Sequence, residues 1–136
     1  MIFSTKALRA EDYDDTLVGW WNDWGGQAPS KEFLPEDGLS GLMIWDDDTP
    51  ICAGFLYDTN SKIAWIDWVI SNKNYRKKPH RNNAINYLLD SLIGVAQSMD
   101  KKYIFANNNN PLLVNHFVGK GFSVGAKNQT ELLLKI

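Results

Sequence analysis

Nine residues, Lys73 to Arg81, carry five Lys or Arg side chains and His80 with no acid between them, and they run into an apolar-periodic stretch that reads as a helix from Asn82 to Met99. The start of a helix offers unpaired N–H groups and the positive end of the helix dipole, so this arrangement suits a pyrophosphate at the N-terminus, with flanking Lys and Arg for a further phosphate. A solvated basic loop is the other reading of the same residues. Asp67 is the one carboxylate in the strand-like run Ile63 to Ser71, between Trp65 and Trp68. Burial there raises a carboxyl pKa toward the range of a general base; the alternative is a carboxylate hydrogen-bonded to a Trp or a backbone N–H. His116 lies about 100° around its helix from Phe117, which gives it a surface or packing role. Cys52 stands alone, so neither a metal site nor an internal disulfide is expected.

The elements that must position these groups follow from pattern. Ile2 to Leu8 reads as a first strand, and Asp12 as the N-cap of a helix to about Trp24, ended by Gly25-Gly26. Leu17, Trp20, Trp21 and Trp24 mark its apolar face. Residues 27–38, with Pro29, Pro35 and Gly38, read as a loop holding one helical turn. Leu39 to Trp45 and Ile51 to Tyr57 form a hairpin across Asp46 to Pro50, and Ile63 to Ser71 is a third antiparallel strand, expected to be buried on both faces. Ala84, Ile85, Leu88, Leu89, Leu92, Ile93 and Ala96 line the apolar face of the second helix. Tyr103 to Ala106 is a strand, Pro111 opens a helix to about Lys120 closed by Gly121, and Glu131 to Ile136 is a final strand. The strand–helix–strand unit in the second half requires a parallel pair, so the fold class is mixed α/β.

The chain has 136 residues, 44% of them hydrophobic, with six Trp, enough for one domain over 1–136 with a sizeable core. The basic run leaves nine basic residues against 16 acids elsewhere, a local positive site on an acidic protein of net charge -2. That balance disfavours nucleic acid and membrane surfaces as partners. A lone cysteine and the absence of an apolar leader favour a cytoplasmic setting.

Two segments carry a resemblance. Asn110-Pro-Leu-Leu-Val-Asn-His-Phe-Val-Gly-Lys-Gly-Phe122 has an Asn, a helix with an aromatic seven residues on, then Gly-Phe; Arg81-Asn-Asn-Ala-Ile-Asn-Tyr-Leu-Leu89 looks like an Arg/Gln-x-x-Gly-x-Gly/Ala loop entering a helix. Over residues 39–122 the chain resembles the GCN5-related N-acetyltransferases (GNAT), particularly their compact, divergent bacteriophage and bacterial members. The resemblance implies an α+β fold: a mostly antiparallel mixed sheet, helices on both faces and a splayed central strand pair. It implies acetyl-CoA as the acyl donor, held by Trp68, Val69 and Ile70, by Arg81, Asn82, Asn83, Ala84, Ile85 and Asn86, and by Asn110 and Phe117. A register beginning at Arg76 instead puts Pro79 and Arg81 in the glycine positions; the Arg81 register places Leu89 at a core leucine. The acceptor, a primary amine on a small molecule or protein, would meet Trp20, Trp21, Trp24, Phe33 and Leu34, with Asp67 as the base. Ala84 and Asn86 replace glycines and Phe117 replaces a tyrosine, which leaves open a second reading: a CoA-binding or partner-binding module with little or no turnover. A homodimer is compatible with either.

Overall fold

The computed structural model describes residues 3–136. Its centre is a five-stranded sheet in the order β1-β2-β3-β4-β5, made of β1 (Phe3–Ala7), β2 (Gly41–Asp46), β3 (Thr49–Tyr57), β4 (Ile63–Ser71) and β5 (Tyr103–Ala106). The first three pairings are antiparallel and β4 to β5 is parallel. Ile2, where the first strand was expected to begin, lies outside the described residues. The β2–β3 turn needs only Asp47 and Asp48, with Asp47 at φ +53°, a left-handed conformation that Asp tolerates.

The sheet separates two apolar clusters. Helix α2 (Lys78–Ser98) lays Ala84, Ile85, Leu88, Leu89, Leu92 and Ala96 on one face against Ile44, Ile51, Cys52 and Ile66, and Phe117 of α3 (Pro111–Gly119) joins them. Each fully buried Leu or Ile there contributes about 1.5–3 kcal/mol. On the other face, a π-helical segment (Tyr13–Leu17) and the short α1 (Val18–Asp23) bring Leu17, Trp20 and Trp21 onto Met43, Ala53, Phe55 and Ile70. Helices thus cover both faces of a mixed, mostly antiparallel sheet.

Four expectations are corrected. Asp12 does not cap the first helix: its carboxylate accepts from the Arg9 backbone N–H at 2.7 Å and the Arg9 guanidinium at 2.9 Å, which occupies both oxygens. The 27–38 loop holds a 3-10 turn, Lys31–Phe33, and then a turn over Pro35–Gly38 in which Glu36 and Asp37 are left-handed at φ +48° and +56°, rather than one helical turn. Helix α2 begins at Lys78, four residues before Asn82, because Pro79 in the first turn loses no hydrogen bond that the helix would make. Residues 131–136 lie outside the sheet, since strand-forming composition gives no strand without a paired edge.

Candidate active site

The site is built around an irregularity in β4. Ile63 to Ile66 pair in register with Tyr103 to Ala106 of β5, where β5 ends. Among the described residues, Asp67 to Ser71 continue for five residues with β3 as their one strand partner. Beyond Ala106 the chain turns through Asn107 to Asn110 into α3, so the pairing of the two parallel strands stops there and leaves a wedge beside β4.

A bulge lies in β4 beside that wedge. The β3–β4 register shifts between Ala53 and Phe55, and Trp68 adopts φ +54°. For a bulky side chain this is a strained conformation, of the kind that persists at functional sites. Its effect is visible in the pleat: Ala64 and Ile66 point to the α2 side, whereas Trp68 and Ile70, in the same alternation, pack on the α1 side. Val69 is turned toward α2, where Gly54 lacks the side chain that would crowd it; a Cβ on Gly54 would lie 3.3 Å from Val69, Leu88 and Leu92.

Asp67 is half-buried on the α1 side, opposite Phe55. One of its oxygens accepts the Trp68 backbone N–H at 2.7 Å, which holds the bulge. Burial pushes the carboxyl above its ordinary value of 3.8, the Trp68 N–H draws it back, and nearby Glu131 adds to the rise. Tyr57, at the end of β3, stands beside both: its hydroxyl donates to the Phe33 carbonyl at 2.6 Å, and burial pushes its pKa up to about 12. Tyr57 was not expected in the site. Its register partner is Trp65, two residues before Asp67 on the same face, and the alternation of the predicted hairpin was the signal that could have found it.

The start of α2 lies beyond the open end of β4. Helix geometry leaves the N–H groups of Lys78 and His80 without intrahelical acceptors, and Pro79 has none to offer; the first backbone bond of the turn is Arg81 N–H to the Lys77 carbonyl at 2.9 Å. Among the described residues the buried Nδ1 of His80 has no hydrogen-bond partner. Arg76 is exposed, and the Arg81 guanidinium rests against the Tyr75 carbonyl at 3.4 Å. Arg81, Asn82 and Asn86 line one wall of a cavity of about 560 Å³ whose other wall is α3, through Leu112, Asn115, His116 and Lys120. There His116 Nδ1 and Asn86 Oδ1 lie 2.9 Å apart, and burial lowers the His116 pKa, with Lys120 adding to the effect. His116 is therefore a half-buried link between α2 and α3.

The remaining expected site residues make local structural contacts. Ala84 and Ile85 face the core, and Asn83 points to solvent. Phe117 is 6% exposed and packs edge-on against Phe122 at 5.0 Å. Asn110 caps α3, its side-chain oxygen accepting from the Leu112 N–H at 3.0 Å. Trp20, Trp21 and Leu34 are core residues, with Trp21 edge-on to Trp68 at 6.3 Å. The Trp24 indole N–H donates to the Ser71 carbonyl at 2.8 Å, pinning the end of β4, and Lys73 lies over its ring. Phe33 stays exposed. A second cavity, of about 850 Å³, lies where Asn107 to Asn109 and α3 meet residues 122–131. Among the described residues no His, Cys, Asp and Glu cluster could hold a metal ion, and no helix is long and apolar enough to cross a membrane.

No family model matches the chain, and no curated protein is similar to it in sequence. Solved structures are similar to it in fold. A GNAT family acetyltransferase from Staphylococcus aureus matches with TM-score 0.62 at 16% identity over 98% of this chain and 100% of its own. The ribosomal-protein-S18-alanine N-acetyltransferase of Escherichia coli matches with TM-score 0.72 at 11% identity over 92% of this chain and 80% of its own. N-acetylglutamate synthase from Neisseria gonorrhoeae, solved with coenzyme A and L-arginine, matches with TM-score 0.73 at 14% identity over 96% of this chain but 29% of its own. The chain has the fold of the GCN5-related N-acetyltransferases.

Proposed function

We propose that this chain is an acyl-CoA-dependent N-acyltransferase that moves an acetyl group from acetyl-CoA to a primary amine. The observation that carries the reading is the parted β4–β5 pair: a backbone edge at Trp68, Val69 and Ile70 free of a strand partner, leading to the start of α2. The pantetheine amides have the donors and acceptors such an edge lacks, and the partnerless Nδ1 of His80 beside the free N–H groups suits a pyrophosphate. Arg76, Arg81 and Asn82 supply further polar contacts. Acetyl-CoA brings the activated acyl group; the chain positions the amine, removes its proton and excludes water. Asp67, its carboxyl raised by burial beside Tyr57 and Trp68, is the group for that proton. The single buried thiol of Cys52 supports a reducing, cytoplasmic setting.

Thermal unfolding with CoA and acetyl-CoA tests the binding step. A ligand at 100 times its Kd adds about 2.7 kcal/mol, which for 136 residues raises Tm by ~9 °C. Thiol release with a panel of amines tests turnover, and no stabilisation at millimolar ligand sinks the proposal. One observation favours a second reading: Phe117 is locked in the core and has no proton to give a departing thiolate. CoA binding without thiol release from any amine would select a binding module on the same fold.

A further inference from the structure

On the α1 side of the sheet, the buried cluster takes in Met43, Ala53, Phe55 and Ile70 but neither Trp65 nor Phe105. Those two belong to an aromatic row set by register: Tyr57 on β3 is the partner of Trp65 on β4, and Trp65 of Phe105 on β5. The Trp65 and Phe105 rings lie 5.0 Å apart, and Phe105 is 50% exposed. With strands ~4.8 Å apart, the row is about 10 Å long. Its β3 end is fixed by the bond from the Tyr57 hydroxyl to the Phe33 carbonyl.

Two carboxylates stand beside this row. Asp67 follows Trp65 on the same face of β4, and Glu131 lies within electrostatic reach of it. Among the described residues neither forms an ion pair with Lys or Arg, although Asp58, Asp90 and Asp100 each hold a lysine. Rings alone would suit any flat apolar group. Aromatic faces also attract cations, and carboxylates that lack a counter-ion select for one. A pair of them calls for two positive charges joined by an apolar stem.

We infer that this row binds a linear aliphatic amine carrying two or more ammonium groups, the acceptor of the proposed transfer. Its methylenes lie along Trp65 and Phe105, one ammonium stands at Asp67 and another at Glu131. The charge of the chain agrees: outside the basic run nine basic residues face 16 acids, a field that draws in small cations. The role as acceptor rests on the acyltransferase reading; the cation site does not.

Calorimetry of the full chain with spermidine, at pH 7 and without CoA, tests the site. Spermidine is expected to bind about tenfold or more tightly than n-butylamine, which brings one ammonium, and the difference is expected to shrink in high salt. Glu131→Gln changes an exposed side chain and weakens spermidine binding about fivefold. Phe105→Leu keeps an apolar side chain without the ring and weakens it about threefold, with unchanged circular dichroism. Equal affinity for the two amines, wild-type affinity in Glu131→Gln, or tighter binding of a blocked trilysine peptide than of spermidine overturns the inference. Thermal shifts with acetyl-CoA are read separately. Stabilisation by acetyl-CoA with no spermidine binding removes this acceptor and keeps the acyltransferase; spermidine binding with no stabilisation keeps the cation site and removes its role in transfer.

Discussion

Asp67→Asn separates the two roles the site assigns to that carboxylate. The amide keeps an oxygen to accept the Trp68 N–H, now at 2.7 Å, so the bulge survives; what it loses is the charge that burial disfavours. The folded carboxyl titrates above its ordinary 3.8, so folding penalises the ionised form. Below the ordinary value both states are protonated and the variant has no advantage. As pH rises through the higher folded value, wild type loses stability relative to the variant, so Asp67→Asn raises Tm slightly at pH 7 and not at acid pH. The half-exposed position keeps the gain small. Asp67→Ala removes the hydrogen bond as well, at a cost of about 0.5–1.5 kcal/mol. For 136 residues unfolding with roughly 2.1 cal/mol/K each, that is a fall of ~2–5 °C. Both variants lose a base, so kcat/KM falls about 10²–10⁴-fold, while calorimetry gives unchanged acetyl-CoA affinity for Asp67→Asn, which keeps the bulge. Near-wild-type kcat/KM in the Asn variant, or a lower Tm at pH 7, refutes the assignment.

Gly41→Ala places a Cβ 2.6 Å from Leu8 and 2.7 Å from the Phe55 ring; overpacking there costs about 1–3 kcal/mol, read as a lower Tm by circular dichroism. Asn110→Ala removes the α3 cap and costs about 1 kcal/mol, whereas Arg81→Ala leaves stability nearly unchanged. In a thermal-shift titration both variants show a smaller CoA-induced rise than the parent, and an equal rise in all three moves the site elsewhere. Burial pushes the Cys52 thiol up, so thiol reagents label the native protein at least 100-fold more slowly than the protein in denaturant, followed by mass spectrometry.

The strands that flank the site were readable because their limits are set locally. Ile63–Ser71 and Tyr103–Ala106 are apolar runs closed by turn residues, and the structure gives the same bounds. What depends on a partner was not readable. The positive φ of Trp68 follows from how β4 meets β3, which no property of Trp signals, and without the bulge the alternation puts Trp68 on the wrong face. The early start of helix α2 was hidden because a basic run containing proline reads as solvated loop, although proline suits a first turn. Trp21 and Leu34 have the composition of a pocket wall and a core alike, and only packing decided for the core. Residues 131–136 show the converse, correct strand composition with no edge in reach.

The short ladder between β4 and β5 has a mechanical consequence. Four residue pairs, Ile63 to Ile66 with Tyr103 to Ala106, join β5 to the rest of the sheet, and beyond them α3 is tied to α2 by Phe117, the His116–Asn86 contact and the Lys120–Asp90 ion pair. Residues 103–136 are therefore expected to open at lower free energy than the β1–β4 and α2 body. Amide exchange would register this as a block of faster-exchanging protons from Tyr103 onward. A ligand spanning the wedge bridges body and flap, and slows that block even where it touches none of its residues.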